Sequence, residues 1–534
     1  MMNIIRQWVL VANLICGLIA LSACSSDDNP VVKPGGDEQQ LADYTIMWYG
    51  HGGGNLDMSL MGNIMDFYFA EEESYKNVNI CAQYKFSSLE NMQELYKQYV
   101  EMLGMYVEPG TPEYDEALSE LDAFKMYYPY AAKTARFVVD REEAFLSTDE
   151  ETKGEPNTAA FFGPDNADIT CADSLTNFIN WAASVKPAKN YILVVSDHGG
   201  SYMPHDDASA DAPRGTRGVM YDDGNASRHF TVKSLAGAIS AAKVRPACVY
   251  LDACLMNTVE YLFELAPTTD YIVSSTFVVP GEGGKYSALI DALSQNPDNL
   301  EKALTIFTKA TVGGWDENAE ENADKEPVYH DMTVTRTADL DAFGAEMKKF
   351  TDKLIAAYQS GDADVKAKID GCTASAYKVN AQSPSYDVID YLAGLCQRLP
   401  EVFGSPFDHP MGKAFDRALV YQQSSKWLEE NQHTVDCSVM LGCQGHYILV
   451  YDYGIATIPQ FFNADGTTEV VVNDTRITSK PWNSTLDQTY GQLRFDQITG
   501  WSRWLKLNEQ EPNQKCYSGY SPILVDVPDE VKTD

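Results

Sequence analysis

The chain has 534 residues, enough to bury a large core and to form one extended domain or two structural units. Its 44% hydrophobic and 11% aromatic residues are typical of a globular protein and argue against a largely disordered chain. The formal net charge of -37 repels phosphate backbones, so nucleic acid is a poor partner. The same charge suits solubility outside the cell, or attraction of cationic protein segments.

Residues 1–23 have the pattern of a signal peptide. Arg6 precedes an apolar run from Trp8 to Leu21, and a small-residue site ends at Cys24. That site resembles a bacterial lipobox, which would make Cys24 the first mature residue and the point of lipidation. A plain secretory signal or a membrane helix are the alternatives, although the run is shorter than the ~20 residues of a typical span. We expect residues 24–40 to be a flexible tether of an exported protein, anchored by lipid in the bacterial envelope at the outer membrane or cell surface.

Short apolar runs alternate with helical patterns from residue 41 onward. Several runs are apolar almost throughout, as in strands buried on both faces of a mostly parallel sheet. Helices are predicted at Asp173–Ser184 and Thr231–Ala242, each opened by a capping-type residue. This order predicts an α/β layered fold. The predicted strands are Tyr44–Tyr49, Val78–Tyr84, Ala135–Val139, Tyr191–Ser196, Ala247–Leu251 and Tyr271–Ser275.

The pattern changes at about residue 311. A charged helical region around Leu340 to Ser360 is followed by further helices to about Glu430 and a β-rich end from Val435. We therefore predict a catalytic domain over 41–310 and a mixed C-terminal subdomain over 311–534, whose role the sequence leaves open.

Two predicted strands end in residues that carry chemistry. Tyr191–Ser196 runs into Asp197-His198-Gly199, and the strand ending at Leu251 runs into Asp252-Ala253-Cys254. Functional residues gather beyond the carboxyl ends of parallel strands, so neighbouring strands would bring His198 and Cys254 together. An imidazole can take the thiol proton and return it to a leaving amine, which makes this pair a candidate for nucleophilic catalysis. By analogy with other acyl-transfer enzymes, the N–H groups of Gly199 and Cys254 would stabilise the oxyanion.

Five motifs in order carry a family resemblance. They are Asp173-Ser174-Leu175-Thr176-Asn177-Phe178-Ile179-Asn180-Trp181, Ser196-Asp197-His198-Gly199-Gly200, Arg217-Gly218-Val219-Met220-Tyr221-Asp222, Asp252-Ala253-Cys254-Leu255-Met256 and Pro280-Gly281-Glu282-Gly283. Over residues 41–310 the chain resembles the clostripain family of cysteine peptidases, relatives of caspases and gingipains. The resemblance implies a caspase-like three-layer sandwich and hydrolysis of protein or peptide substrates after Arg or Lys, with Cys254 attacking and His198 as general acid and base. It implies no required cofactor, although calcium dependence occurs in relatives.

An acidic first specificity pocket follows from the same resemblance. Asp252 and Glu282 match the acidic positions, and a buried substrate cation needs such carboxylates. Relatives more often have Asp followed by Gly-Trp where this chain has Glu282, Gly283 and Gly284, so the choice between Arg and Lys stays open. Asp252 could instead be a hydrogen-bonding acid at a strand end.

The loop from Pro204 to Val219 contains two candidate self-cleavage sites. Relatives commonly mature by cutting themselves between the catalytic histidine and cysteine, and Arg214 and Arg217 lie in that interval. An uncut surface loop with two solvated arginines is the alternative.

Other motifs favour no competing chemistry. His51-Gly52-Gly53-Gly54 imitates a lipase oxyanion motif, but no G-x-S-x-G follows, so His51 is interpreted as structural or rim-lining. Metalloprotease, nucleotide-loop and EF-hand motifs are absent from the sequence, and no C-x-x-C occurs among the 11 cysteines, so no metal site is predicted. Two alternatives remain: a catalytically idle surface lipoprotein that binds protein or glycan, and a transpeptidase of the same fold.

Overall fold

The computed structural model describes residues 41–149, 152–200, 202, 218–225, 228–320, 330–376, 385–430, 449–451, 460–462, 468–472, 475–479 and 490–507. The predicted signal peptide, Cys24, the tether, Arg214 and Arg217 lie outside these residues.

The strands begin and end close to the apolar runs of the sequence. Burial on both faces favours mostly apolar strands, although β1 buries Thr45 and β2 buries Gln83 and Lys85. In chain order the strands are β1 (Ala42–His51), β2 (Val78–Lys85), β3 (Thr134–Val138), β4 (Phe161–Phe162), β5 (Ala188–Ser196), β6 (Val219–Asp222), β7 (Arg228–Phe230), β8 (Cys248–Asp252), β9 (Tyr271–Ser274), β10 (Asp331–Arg336), β11 (Ser385–Asp387), β12 (Leu419–Ser424), β13 (Leu449–Tyr451), β14 (Gln460–Phe462), β15 (Thr468–Val472) and β16 (Thr475–Ser479).

Nine of these strands form one sheet in the order β12-β10-β9-β8-β5-β1-β2-β3-β4. The central strands β9, β8, β5, β1 and β2 pair in parallel. The pairs at both edges are antiparallel. The carboxyl ends of the central strands therefore meet at one edge of the sheet, where a site can form.

Helices cover both faces of this sheet. Several begin at the residue types that accept hydrogen bonds from the first turn: the side chains of Ser88 and Thr231 each accept a backbone N–H three residues on. In chain order the helices are α1 (Asp57–Asp66), α2 (Leu89–Tyr106), α3 (Pro112–Asp122), α4 (Ala172–Val185), α5 (Val232–Ser240), α6 (Val259–Leu265), α7 (Tyr286–Gln295), α8 (Leu300–Glu320), α9 (Leu340–Tyr358), α10 (Ala363–Ser375), α11 (Val388–Arg398), α12 (Pro400–Phe403), α13 (Pro410–Ala418), α14 (Lys426–Glu430), α15 (Arg494–Thr499) and α16 (Trp501–Leu507).

The sheet separates two hydrophobic cores. Met47 and Tyr49 of β1 point into one core, with α4, α5, α6 and α9, whereas Ile46 and Trp48 point into the other, with α1, α7 and α8. This alternation is the period-two pattern of a strand buried on both faces. The predicted three-layer α/β fold with a mostly parallel central sheet is confirmed.

Residues beyond 310 extend the same sheet. β10 pairs antiparallel with β9, and β12 pairs with β10, so the predicted division at residue 310 falls within α8 and between strands of one sheet. β13 to β16 lie in the segment predicted to be β-rich, and α15 and α16 follow them. Among the described residues, no helix is both long and apolar enough to cross a bilayer.

Candidate active site

The pairing of β5 with β8 brings the two predicted catalytic residues together. The strands are parallel, and Ser196 is the register partner of Asp252. His198 and Cys254 each lie two residues beyond this pair, on strands about 4.8 Å apart. A Cβ on Gly199 would lie 2.3 Å from the Cys254 carbonyl oxygen and 2.8 Å from its nitrogen, so only glycine allows this close approach.

The His198 ring is held by the turn that follows β1. Its Nε2 lies 2.6 Å from Asn55 Oδ1, and because an amide oxygen only accepts, Nε2 carries the proton and Nδ1 is left as the acceptor. Gly53 packs behind the ring, since a Cβ there would lie 2.8 Å from His198 Cδ2. Asn55 is therefore a positioning residue to which the sequence analysis gave no role.

Burial and charge keep the resting pair neutral. Burial, reinforced by the positive charge of His51, lowers the pKa of His198 to about 4. Burial raises the pKa of the Cys254 thiol, against a hydrogen bond from the Val279 N–H to Sγ at 3.3 Å. Both side chains therefore rest uncharged, and the Sγ contacts are with the backbone of Val279, whose carbonyl oxygen lies 3.8 Å from it.

The backbone turns sharply just after Cys254. Leu255 has a φ of 64°, an unusual conformation for a branched aliphatic residue, and its N–H donates to the Phe277 carbonyl at 2.9 Å. Such local strain is typical of functional sites, because surrounding contacts must hold it in place. Here the strained turn directly follows Cys254, which is itself partly buried.

A buried carboxylate beyond residue 310 fixes the loop that faces Cys254. Oδ1 of Asp331 accepts from the Thr276 N–H at 2.7 Å, the Phe277 N–H at 3.1 Å and the Ser275 hydroxyl at 2.9 Å. The Phe277 carbonyl accepts the Leu255 N–H, so one loop links Asp331 to the residue that follows Cys254. No local pattern points to Asp331, because these donors lie more than 50 positions away in the sequence.

The two predicted pocket acids differ in burial. Asp252 is 4% exposed, and its carboxylate accepts from the Tyr250 and Tyr286 hydroxyls at 2.7 and 2.5 Å and from Ser196. Burial raises the pKa of Asp252, and these hydrogen bonds oppose the rise. Glu282 is half-buried, and its Oε1 accepts from the Asn318 amide at 3.2 Å.

The turn that carries Glu282 lies against Asp252. The Gly284 N–H donates to Asp252 Oδ2 at 3.4 Å, and a Cβ on Gly283 would lie 2.8 Å from the same oxygen. The structure thus brings both acids to the β8–β9 side of Cys254, where Asp252 is buried and Glu282 is partly exposed.

His51 belongs to a buried ionic cluster beneath this site. Nε2 of His51 lies 3.0 Å from Asp223 Oδ1, and Lys85 Nζ lies 2.7 Å from Asp222 Oδ1, all four side chains being buried. Burial lowers the pKa of His51, but the hydrogen bond to Asp223 and the nearby carboxylates outweigh it and raise the pKa to about 9. His51 is therefore an interior cation rather than a rim residue.

This cluster does not fit calcium. His51, Asp222 and Asp223 are close enough to share an ion, but calcium prefers six to eight oxygen ligands. The His51 and Lys85 side chains already supply the positive charge that the two carboxylates need. The described residues therefore give no support for a calcium site at this position.

Comparisons with known proteins point to one family of peptidases. A sequence model of the clostripain family matches residues 138–507. Clostripain of Hathewaya histolytica is 25% identical over 288 residues, covering 51% of this chain and 45% of that protein. The chain thus spans about half the length of the curated relative it matches.

A solved structure of low sequence identity shares the fold. A secreted C11 cysteine protease from Bacteroides thetaiotaomicron, in complex with an irreversible peptide inhibitor, has a TM-score of 0.50 at 14% identity, covering 86% of this chain and 99% of that one. Another secreted C11 cysteine protease structure from that species has a TM-score of 0.46 at 16% identity, covering 72% and 87% of the two chains.

Proposed function

Because the chain belongs to the clostripain family, we propose that it is a cysteine endopeptidase in which Cys254 is the nucleophile and His198 the general base and acid. The observation that supports this proposal most is the register of β5 and β8. Ser196 pairs with Asp252, and His198 and Cys254 each follow this pair by two residues. A binding module has no need for a thiol and an imidazole in this arrangement.

The proposed reaction begins with the neutral pair. As Cys254 Sγ attacks the substrate carbonyl, its proton passes to Nδ1 of His198, whose Nε2–H stays bonded to Asn55. The N–H groups of Gly199 and Cys254 stabilise the oxyanion. His198 then protonates the leaving amine, and a thioester joins the substrate acyl group to Cys254. Water, deprotonated by His198, cleaves the thioester and restores the thiol.

The proposed specificity is for Arg or Lys before the scissile bond. Glu282 is the direct partner of the substrate cation, because the residue is only partly buried whereas Asp252 is buried and its oxygens already accept from neighbouring hydroxyls. Asp252 contributes negative charge at the floor and fixes the turn that carries Glu282. A buried cation is stable only next to such carboxylates.

Export and maturation complete the proposal. The small-residue site before Cys24 supports a lipid anchor in the envelope, and Arg214 and Arg217 are the candidate self-cleavage points. Labelled palmitate should enter the wild type but not Cys24→Ser. Incubation should convert the wild type, but not Cys254→Ala, into two fragments joined non-covalently; an intact wild type would remove the self-cleavage step.

Fluorogenic peptides test the activity. The wild type should cleave substrates with Arg or Lys before the coumarin faster than a substrate with a neutral residue there. Neither Cys254→Ala nor His198→Ala should cleave any of them. Cys171→Ala is the matched control, because Cys171 is an exposed cysteine outside the site, and it should retain full activity. Equal turnover by Cys254→Ala would overturn the proposal.

A further inference from the structure

A preformed cleft lies next to His198 on the side away from the acidic pocket. Its volume is about 490 Å³, and its walls are the turn after β1, the start of β6 and one face of α2. The lining residues on which the argument depends are Asn55, Glu94, Leu95, Gln98, His198 and Tyr221.

Hydrogen bonds hold the cleft open. The Ser88 N–H and the Asn91 amide both donate to Asp223 Oδ2 at 2.8 Å, which fastens the first turn of α2 to the turn after β6. The same Asp223 is paired with His51, so the cluster beneath the site also fixes this wall. The cleft is therefore organised before any ligand arrives, as binding sites usually are.

The order of the strands shows on which side of the proposed catalytic pair the cleft lies. The acidic pocket lies on the β8–β9 side, Cys254 follows β8, His198 follows β5, and β1 and β2 come next. The leaving amine takes its proton from His198, so the chain that follows the scissile bond must leave across the His198 ring. That path ends in the cleft.

The lining of the cleft carries one negatively charged side chain. Among the described residues that line it, Glu94 is the only carboxylate, and none is Lys or Arg. Gln98 Nε2 lies 3.4 Å from Glu94 Oε1, and Lys97 Nζ lies 3.8 Å from Oε2. Both Glu94 and Lys97 are more than half exposed, so their pair is weak and a substrate cation can compete for the carboxylate.

We propose that this cleft binds the residues that follow the scissile bond and that Glu94 selects a cationic side chain there. The inference rests on the proposed peptidase function. Together with the acidic pocket, it describes a substrate with basic residues on both sides of the cleaved bond.

Internally quenched peptides test the proposal. They share Arg before the scissile bond and carry Lys, Ala or Glu at one of the three positions after it. We expect the wild type to prefer Lys over Ala about two- to fivefold in kcat/KM at one position, which is the range for a partly exposed charge pair. Glu94→Gln should bring the ratio of kcat/KM for the Lys and Ala peptides close to one. Glu101→Gln, on the same helix but outside the cleft lining, should keep the wild-type preference.

A coumarin substrate separates the two proposals, because it has no amino acid after the scissile bond. If the coumarin substrate is cleaved but the quenched peptides show no preference for Lys, the cleft proposal alone is overturned. A preference for Lys that Glu94→Gln leaves intact would have the same consequence. No turnover of either substrate would overturn the peptidase function and the cleft proposal with it. The Lys preference should also shrink as salt concentration rises, since the pair is exposed.

Discussion

Asn55→Ala tests how far one hydrogen bond controls catalysis. The change removes the oxygen that lies 2.6 Å from His198 Nε2 and leaves the rest of the turn after β1 in place. The ring then loses the contact that fixes both its orientation and the proton on Nε2. We expect a lower kcat, with KM for a coumarin substrate nearly unchanged, because Asn55 contacts the histidine and not the residue before the scissile bond.

The size of the effect follows from the type of bond. A neutral hydrogen bond contributes about 0.5 to 1.5 kcal/mol net, and 1.36 kcal/mol corresponds to a factor of ten. Since the His198 ring is partly buried, the upper end of that range applies, and kcat should fall about tenfold. Asn180→Ala is the control: its Oδ1 accepts the Lys243 N–H at 2.7 Å between α4 and the segment before β8, so this variant should keep wild-type kcat.

Asn55→Asp adds a readout that loss of structure alone would not give. A carboxylate can still accept the Nε2 proton, so it should restore orientation, but its charge stabilises the imidazolium and raises the pKa of His198. The acid limb of kcat/KM, set in the wild type by a His198 pKa of about 4, should therefore move to higher pH. Wild-type kcat in Asn55→Ala, or an unmoved acid limb in Asn55→Asp, would refute the positioning role.

Three further changes probe the charges around the site. The pKa of His51 is raised to about 9 in the folded protein, against 6.5 in the unfolded chain, so its protonation contributes about 3 kcal/mol to the free energy of unfolding. This contribution is complete below pH 6.5 and is lost as the pH rises through 9. The free energies of unfolding of the wild type and His51→Gln, measured in urea, should therefore converge at high pH, and a constant difference across pH would contradict this. Asp331→Ala leaves buried N–H donors of the loop unsatisfied, so we expect the free energy of unfolding to fall by about 2 to 4 kcal/mol and kcat to fall as well. Asp331→Asn should retain more of the stability and more of kcat. An unchanged kcat in a folded Asp331→Ala would exclude a link between Asp331 and the nucleophile. Glu282→Gln should lower kcat/KM for Arg about 10- to 100-fold but spare a citrulline substrate, and an equal loss on both would remove the charge pairing.

The central sheet was predictable because its strands are buried on both faces. Val194 and Val195 of β5, and Tyr250 and Leu251 of β8, are all buried, so each strand has an apolar run near its carboxyl end that is followed by polar residues. The runs placed His198 and Cys254 at strand ends, and the parallel pairing then set them side by side. The predicted His–Cys juxtaposition is an expected result of these two local signals.

Other parts of the site had no local signal. Asn55 acts on a residue 143 positions away, and the loop facing Cys254 is held by Asp331 from beyond the predicted domain boundary. The helix α2, which forms a wall of the cleft, buries only Met92 and Leu103, so its sequence lacks a strong apolar stripe. Such features depend on which segments meet in the fold, and no short pattern in one sequence records that.

Covalent labelling tests most directly that Cys254 is the nucleophile. A peptide with Arg before an acyloxymethyl ketone should alkylate the protein once, and peptide mapping should place the added mass on Cys254. His198→Ala should slow the labelling, and Cys171→Ala should not change it. Mass on another cysteine, or peptide cleavage that persists while Cys254 stays unlabelled, would contradict the account.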